Sequence, residues 1–347
     1  MIPLAVVCVP TDHMVLIRFR MILLMVCGDT DHGTEQLTLN FTLMKYNRIF
    51  FTSSFLIGIA FLGISCVNGN RDDKQSDSTT TTTSASGAVK SDFPYDLAKP
   101  VKYNMPHNLF EISGIVFHNG DPKEVFAIQD EDGDLFHLAL GDKESKFTKF
   151  GGKGDYEDVT IIKNYFIVLK SNGELHTFPI SELGKSEATN VTKTKDLVPK
   201  AEYEGLAADE KNNMIYVLTK DSKPDSKAKA SSIYGFKFNN DASLTAAGQF
   251  SLSHKAIEKA SGSSKSRFRP SALAKNVKTN EWYVLSSVNK LLVITDANFK
   301  VKATYPLNPS LFNQPEGIAF DRDNNLYISN EGGTLAAGNI LLFKLKK

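Results

Sequence analysis

Two glutamates lie at opposite ends of a short segment near the C-terminus, QPEGIAFDRDNNLYISNE. Glu316 stands before the apolar run GIAF, and Glu331 follows the second run, LYIS. If the two runs form an antiparallel hairpin, the start of the first strand and the end of the second lie side by side. Neighbouring carboxylates repel one another unless a cation or basic side chains neutralise them. The spacing therefore predicts that Glu316 and Glu331 are close together, at a site able to bind a cation.

The same pattern recurs along the chain as ISGIVF, YEDVTI, YEGLAA, PSALAK and PEGIAF. Each copy is followed by a turn, a second strand rich in aromatic and β-branched residues, and a third strand. The equivalent positions are spaced by 44, 47, 67 and 45 residues: Gly114, Asp158, Gly205, Ala272 and Gly317. The long spacing indicates an insertion that includes SKPDSKAKASS and the helix-like segment SHKAIEKASG. Repeats of about 40 to 50 residues with three or four strands are typical of a β-propeller.

Five repeats predict an all-β fold, a five-bladed β-propeller over residues 93–347; a six-bladed ring and a β-sandwich are the alternatives. The last repeat ends with its third strand at the C-terminus. Its outer strand must then come from elsewhere, and YDLAKPVKYNMP at residues 95–106 has the composition to supply it. This pairing would close the ring.

The first 92 residues read as processing and tethering segments. Residues 44–66 have a basic start, an apolar stretch and small residues before Cys66, which is the arrangement of a lipoprotein signal in which Cys66 receives the lipid. An uncleaved membrane helix is the alternative. Residues 1–43 add a second hydrophobic segment, interpreted as a start site placed too far upstream. Residues 67–92 are polar and rich in Ser and Thr, which predicts a disordered linker. We therefore expect the domain outside the cytoplasm, anchored to the cell membrane or the outer membrane.

Charge and cysteine content exclude several classes of protein. Lys and Arg number 40 against 39 Asp and Glu, so the chain lacks the basic character expected of a nucleic-acid partner. All three cysteines, Cys8, Cys27 and Cys66, precede the repeats, so the domain has neither a disulfide framework nor a cysteine zinc site. We expect a monomer.

Antiparallel pairing in every blade brings the starts of the first strands and the ends of the second strands to one mouth of the central channel. Calcium takes six to eight oxygen ligands, which a ring of carboxylates can offer. The predicted metal ligands are Glu111, Asp130, Glu157, Glu204, Glu316 and Glu331. The predicted ligand-binding cations are Lys170, Lys220 and Arg269. The alternative interpretation is structural, with the glutamates capping blade turns and the glycines allowing close packing. The DRDNN segment at residues 321–325 is interpreted as a turn rather than a calcium loop.

The chain contains three segments in a characteristic order: EISGIVF, YEGLAADEKNNMIYVLTKD and QPEGIAFDRDNNLYISNE. Together they resemble the SdiA-regulated family of YjiK- and CarP-type calcium-regulated β-propellers. The resemblance covers residues 93–347. It implies a membrane-anchored or exported propeller with a role in calcium response and a likeness to phytases. The acidic pair that ends second strands in this family is represented here by Asp130-Glu131 and Asn330-Glu331.

Two functional hypotheses follow. In the first, the protein is a membrane-anchored binding or sensory module that holds calcium or a small ligand at the channel mouth. In the second, it is a metal-dependent phosphoric ester hydrolase in which the basic side chains grip phosphate. The sequence has no G-x-S-x-G elbow, P-loop or H-E-x-x-H motif.

Overall fold

The structure is a computed structural model that describes residues 93–263, 267–333 and 336–346. Contacts divide the chain into Met1–Ser84 and Ala85–Lys347, and every described residue belongs to the second unit. The segments predicted at 1–43, 44–66 and 67–92, including Cys66, lie outside the described residues.

The described strands form five four-stranded antiparallel sheets, the blades of a propeller. The chain enters through β1 (Val101–Asn104), which belongs to the last blade. Blade 1 contains β2 (Ile112–Val116), β3 (Val125–Gln129), β4 (Asp134–Leu138) and β5 (Lys146–Lys149). Blade 2 contains β6 (Tyr156–Ile162), β7 (Tyr165–Lys170), β8 (Leu175–Pro179) and β9 (Thr192–Thr194).

Blade 3 contains β10 (Glu202–Asp209), β11 (Met214–Asp221), β12 (Ala230–Phe238) and β13 (Leu244–Ser253). Blade 4 contains β14 (Ala272–Asn276), β15 (Glu281–Ser286), β16 (Leu291–Thr295) and β17 (Val301–Pro306). Blade 5 contains β18 (Pro315–Phe320), β19 (Leu326–Asn330) and β20 (Asn339–Phe343), together with β1. The prediction of five blades is confirmed, and the six-bladed ring and the sandwich were wrong, because five separate sheets account for all five repeats.

The ring closes as the sequence predicts. β1 pairs antiparallel with β20, with Val101 opposite Leu342 and Asn104 opposite Asn339. The residues before β1 are also part of the core, since Phe93 and Tyr95 are buried between blades 4 and 5. Tyr95 donates its hydroxyl hydrogen to the Asn324 carbonyl oxygen, 2.7 Å away. Both ends of the domain are therefore held in one blade.

The apolar core is divided into five clusters, one at each interface between adjacent blades. Apolar side chains recur on both faces of the inner three strands, and each face packs on the next blade. The interface between blades 3 and 4 is centred on Trp282, whose ring stacks on Phe299 at 4.9 Å. The stability of the ring thus depends on blade-to-blade packing that no single blade provides.

Four of the five outer strands are short, mostly exposed edges that carry lysine, whereas β13 of blade 3 has ten residues and no lysine. β5, β9, β1 and β17 contribute Lys146, Lys193, Lys102 and Lys302. Charged side chains on an edge strand oppose pairing with another chain.

Blade 3 contains the insertion, with α1 (Lys223–Ala228) and α2 (His254–Ser261). Each helix begins at a serine cap: Ser222 accepts the Asp225 N–H at 3.0 Å and Ser253 the Ala256 N–H at 3.3 Å. The predicted helix in SHKAIEKASG is confirmed. The DRDNN segment is a turn, in which Asp321 Oδ1 accepts the N–H groups of Asp323 and Asn325.

Candidate functional site

Bulges place three glutamates at one end of the inner strands. In β6, Tyr156 pairs with Lys170 and Asp158 with Leu169, so Glu157 has no partner across the strand. The register shifts in the same way around Glu204 in β10 and around Glu316 in β18. A bulge bends its strand and re-aims the extra side chain, which is why bulges recur beside functional sites. The glutamate before each Gly or Asp is therefore the bulged residue.

The residue after each of these positions belongs to a layer that closes the channel. In this layer, four small residues and one carboxylate occupy equivalent positions of the five blades: Gly114, Gly205, Ala272 and Gly317, with Asp158. Asp158 accepts the N–H groups of Val159 and Leu206, both at 2.8 Å, and that of Leu273. A Cβ at Gly114 would lie 2.5 Å from Asp158 Oδ1, so only glycine fits there. Burial raises the pKa of Asp158, against the effect of its N–H donors. We call these five residues the plug layer.

Above the plug layer is a group of acidic residues that we call the carboxylate mouth: Glu111, Asp130, Asp155, Glu157, Glu204, Glu316 and Glu331. Burial, then the charge of Glu111, raises the pKa of Asp130 to about 6. Burial is the largest cause that raises the pKa of Glu331 to about 7, and the charges of Asp130 and Glu111 add to it. These three carboxyl groups, from blades 1 and 5, therefore lie close enough to repel one another.

Lys220 partly neutralises the other half of the carboxylate mouth. It forms an ion pair with Glu204, which is 5% exposed. Burial, then Asp155, raises the pKa of Glu157 to about 8, whereas Lys220 lowers it. Burial, then Glu331, raises the pKa of Glu316 to about 7, and Lys220 again acts in the opposite direction. Lys220 thus offsets part of the negative charge of the carboxylate mouth.

The other two predicted cations lie at different distances from this group. Arg269 forms ion pairs with Glu202 at 3.1 Å and Asp221 at 3.7 Å on blade 3. Lys170 Nζ lies 5.2 Å from the centre of the Tyr156 ring and lowers the pKa of Glu174. A cavity of about 390 Å³ beside the carboxylate mouth is lined by two acids, three bases and polar residues, among them Glu204, Glu316, Lys220, Arg269, Lys290 and Ser287.

The carboxylate mouth offers oxygen atoms, which are the ligands that hard cations take. Asp130 Oδ1 is buried and accepts no hydrogen bond, so one oxygen is available there. Within the described part of the chain, no group of three or more His, Cys, Asp or Glu side chains is gathered closely enough to ligate one metal ion. The acids surround the mouth without converging on one point.

Three residues of this region have roles that the sequence prediction did not assign. Asp155 acts on both Glu157 and Asp130, and Ser171 donates a hydrogen bond to it. Lys290 acts against the rise in the pKa of Glu316 that burial and Glu331 cause. Asp158 was aligned with the glycines, but its role in the plug layer was missed. The signal was present for Asp158, since it is the one charged residue at a position otherwise occupied by Gly or Ala.

Among the helices that the structure describes, none is long and apolar enough to cross a membrane. Comparison with solved structures finds similar folds at low identity. A glutaminyl cyclase from Myxococcus xanthus is 14% identical, with a TM-score of 0.48, over 71% of this chain and 94% of that one. A luciferin-regenerating enzyme is 9% identical, with a TM-score of 0.44, over 71% of this chain and 95% of that one.

A comparison of the chain with curated proteins finds no match. The sequence pattern of the SdiA-regulated family matches residues 87–334, more than half of the chain. This match spans all five first strands, including the three bulged glutamates of the carboxylate mouth and the plug layer. The chain therefore belongs to the SdiA-regulated family.

Proposed function

We propose that this protein is a binding or sensory module that takes a divalent cation, calcium in the first instance, at the carboxylate mouth. The observation that supports it most is the cluster of raised pKa values: about 6 for Asp130, about 7 for Glu316 and Glu331, and about 8 for Glu157. Acids held together against their repulsion and their desolvation bind a cation favourably, because the cation removes both costs.

Glu111, Asp130 and Glu331 are the proposed core of the site. Besides burial, Glu111 contributes to the raised pKa of Asp130, and both residues contribute to that of Glu331. No basic side chain forms an ion pair with these three among the described residues. Asp130 Oδ1 supplies an oxygen without a donor. Glu204 is the weakest of the predicted ligands, because Lys220 already neutralises it. Calcium, when bound, supplies positive charge that orders these carboxylates, and water completes its coordination.

The test is thermal unfolding of the full chain in chelator and in millimolar calcium, together with a direct calcium titration by calorimetry. A ligand that binds only the folded state stabilises it by about 2.7 kcal/mol at a hundredfold excess over Kd. We expect this stabilisation in the wild type and its loss in Glu111→Gln, Glu331→Gln.

The matched control is Glu144→Gln, Glu187→Gln, which removes two exposed glutamates far from the carboxylate mouth and should keep the full calcium response. A wild-type melting temperature that does not change with calcium, with no heat of binding, would overturn the proposal and favour glutamates that serve only to build the blade turns.

A second candidate function is hydrolysis of a phosphoric ester. The cavity beside the acids favours it, because Lys220, Arg269 and Lys290 line one space with Glu204 and Glu316. Basic side chains bind phosphate, and a cation held by the acids would polarise it. Calcium-dependent release of phosphate from an aromatic phosphate ester, abolished in Glu111→Gln, Glu331→Gln, would favour this function over binding alone.

We propose further that the domain is tethered to a membrane through a lipid on Cys66, which lies outside the described residues; the basic and apolar stretch before it supports this. Cys66→Ser should abolish incorporation of labelled lipid and release the protein from the membrane fraction. Ser76→Ala, in the linker after Cys66, is the control and should leave both unchanged. Retention of Cys66→Ser at the membrane without lipid label would favour an uncleaved membrane helix.

A further inference from the structure

A second cavity lies on the other side of the plug layer, and we call it the lower chamber. It has a volume of about 570 Å³ and is lined by the inner strands of all five blades. Its lining begins one residue after the plug layer in every blade: Ile115, Val159, Leu206, Leu273 and Ile318. Because Asp158 joins blades 1 to 4 across the channel, the chamber ends at this layer and opens at the opposite face.

The deep wall of the lower chamber is aliphatic. After Ile115, Val159, Leu206, Leu273 and Ile318, the next lining residues of the five strands are valine, alanine and one threonine. This threonine, Thr160, accepts the Ala208 N–H at 3.1 Å. Cavities of this size with mostly apolar walls and a few polar groups at one end are typical of small-molecule sites. The wall therefore favours a ligand with an apolar body.

Four charged lining residues are exposed at the open rim: Glu210, Lys211, Lys278 and Arg322. The other two, Lys275 and Asp321, have buried side chains. Most of these charges already have partners. Lys275 is close to Asp209 at 3.8 Å, and Arg322 binds Asp121 at 2.6 Å. The Asp321 carboxylate accepts hydrogen bonds from Asn325 and Tyr327, at 2.8 Å and 3.0 Å.

Lys211 and Lys278 are different, because neither forms an ion pair within the described residues and both are exposed. Glu210 is the remaining acid, and it accepts the Lys163 N–H of blade 2 at 3.1 Å. The rim beside these groups also carries Val277, a residue that is 71% exposed. The open end thus combines an excess of positive charge with apolar surface.

We infer that the lower chamber binds an elongated amphipathic molecule with one anionic group, of the class of a long-chain carboxylate. Its apolar chain occupies the chamber below the plug layer, and its anionic group lies between Lys211 and Lys278. This site is separate from the carboxylate mouth and does not depend on the function proposed there.

The first experiment compares decanoate, hexanoate and decanol by calorimetry on the full chain, below the concentrations at which they aggregate. Burial of each methylene group strengthens binding by about fourfold. Decanoate, which has four more methylene groups, should therefore bind about two hundredfold more tightly than hexanoate. Equal affinity for the two acids would overturn the inference, because it would place the carboxylate on surface lysines without a chain in the chamber.

The second experiment tests the anionic group. Lys211→Gln, Lys278→Gln should weaken decanoate binding about fivefold, the range of two partly solvated charge pairs, and leave decanol unchanged. Lys143→Gln, Lys146→Gln, two exposed lysines of blade 1 outside the chamber, are the matched control and should have no effect.

The third experiment locates the site with two exposed valines, one at each end of the channel. Val277 lies at the chamber rim, and Val288, 63% exposed, lies beside the carboxylate mouth. Val277→Asp should weaken decanoate binding by repulsion, whereas Val288→Asp should not. The opposite result would overturn the inference and assign the carboxylate to Lys220, Arg269 and Lys290. Since both valines are exposed, neither variant should unfold the domain, and the melting temperature of each verifies this.

Discussion

The two ends of the central channel are built from the same five strands and differ by a shift of two residues. On one side of the plug layer the inner strands present Ser113, Glu157, Glu204, Ser271 and Glu316; on the other they present Ile115, Val159, Leu206, Leu273 and Ile318. The three glutamates of the first set are placed by bulges, and the second set begins the regular strand. A single buried layer thus separates a charged environment from an apolar one.

This difference shows how a propeller can hold two chemistries on one axis. The carboxylate mouth depends on long-range charge, since its acids come from different blades and perturb one another's pKa values. The lower chamber depends on shape and on two rim lysines. Variants should therefore affect the two ends in different ways, and the following predictions test this separation.

The largest effect should come from opening the ring, which removes both ends at once. Deletion of residues 93–106 removes β1 and the buried side chains of Phe93 and Tyr95. The edge of β20 is then exposed, and an unpaired edge invites association. We expect loss of cooperative thermal unfolding and aggregation, measured by calorimetry and light scattering. A deletion variant that melts like the wild type would show that β1 is dispensable for the ring.

The next largest effect should come from the plug layer that divides the two ends. Asp158→Ala leaves the N–H groups of Val159, Leu206 and Leu273 without their acceptor. Each buried donor left unpaired costs about 1 kcal/mol or more, so unfolding in urea should show a loss on the order of 3 kcal/mol. Asp158→Asn keeps one acceptor oxygen and should lose less. A loss below about 0.5 kcal/mol in Asp158→Ala would mean that the layer does not hold the blades together.

The carboxylate mouth should make stability depend on pH. Its pKa values, about 6 for Asp130, about 7 for Glu316 and Glu331, and about 8 for Glu157, lie above those of exposed carboxyl groups. Between about pH 4 and pH 8 the folded chain therefore keeps protons that the unfolded chain has released. The contribution of these groups to the unfolding free energy falls as pH rises through this range.

The double variant Glu157→Gln, Glu316→Gln should remove most of this decline. In chelator at pH 8 it should be more stable than the wild type by about 2 kcal/mol, after allowance for solvent screening and for coupling between the two groups. His176 and His254 act in the opposite sense below about pH 6.5, because burial lowers their pKa values. The difference between variant and wild type isolates the glutamates. A variant less stable than the wild type at every pH would identify structural glutamates instead.

The smallest effect should come from the wall of the lower chamber, where few polar groups lie. Thr160→Val leaves the Ala208 N–H without its acceptor and should cost about 1 kcal/mol in urea unfolding. Thr160→Ser keeps the oxygen and serves as the control. The pH dependence should be that of the wild type in both variants, because no titratable group is altered. A change in the pH profile would mean that the two ends are coupled through the plug layer.

The sequence by itself determined the architecture. The spacing from Gly114 to Gly317 specifies five blades, and the missing outer strand of the last blade identifies the segment that closes the ring. Antiparallel pairing brings Pro315 opposite Asn330, so the nearness of Glu316 and Glu331 also follows from local pattern. These features depend on alternation and turn chemistry within a few tens of residues.

Only the tertiary structure decided which charged side chains interact with one another. Three features of the site depend on distances between strands and blades. They are the ion pair of Lys220 with Glu204, the effect of Asp155 on the pKa of Asp130, and the position of Asp158 on the channel axis. The lower chamber is likewise made by residues of five blades whose side chains carry no common motif. Burial and electrostatic interaction depend on separation in space, and a repeat pattern specifies that separation only after the ring has closed.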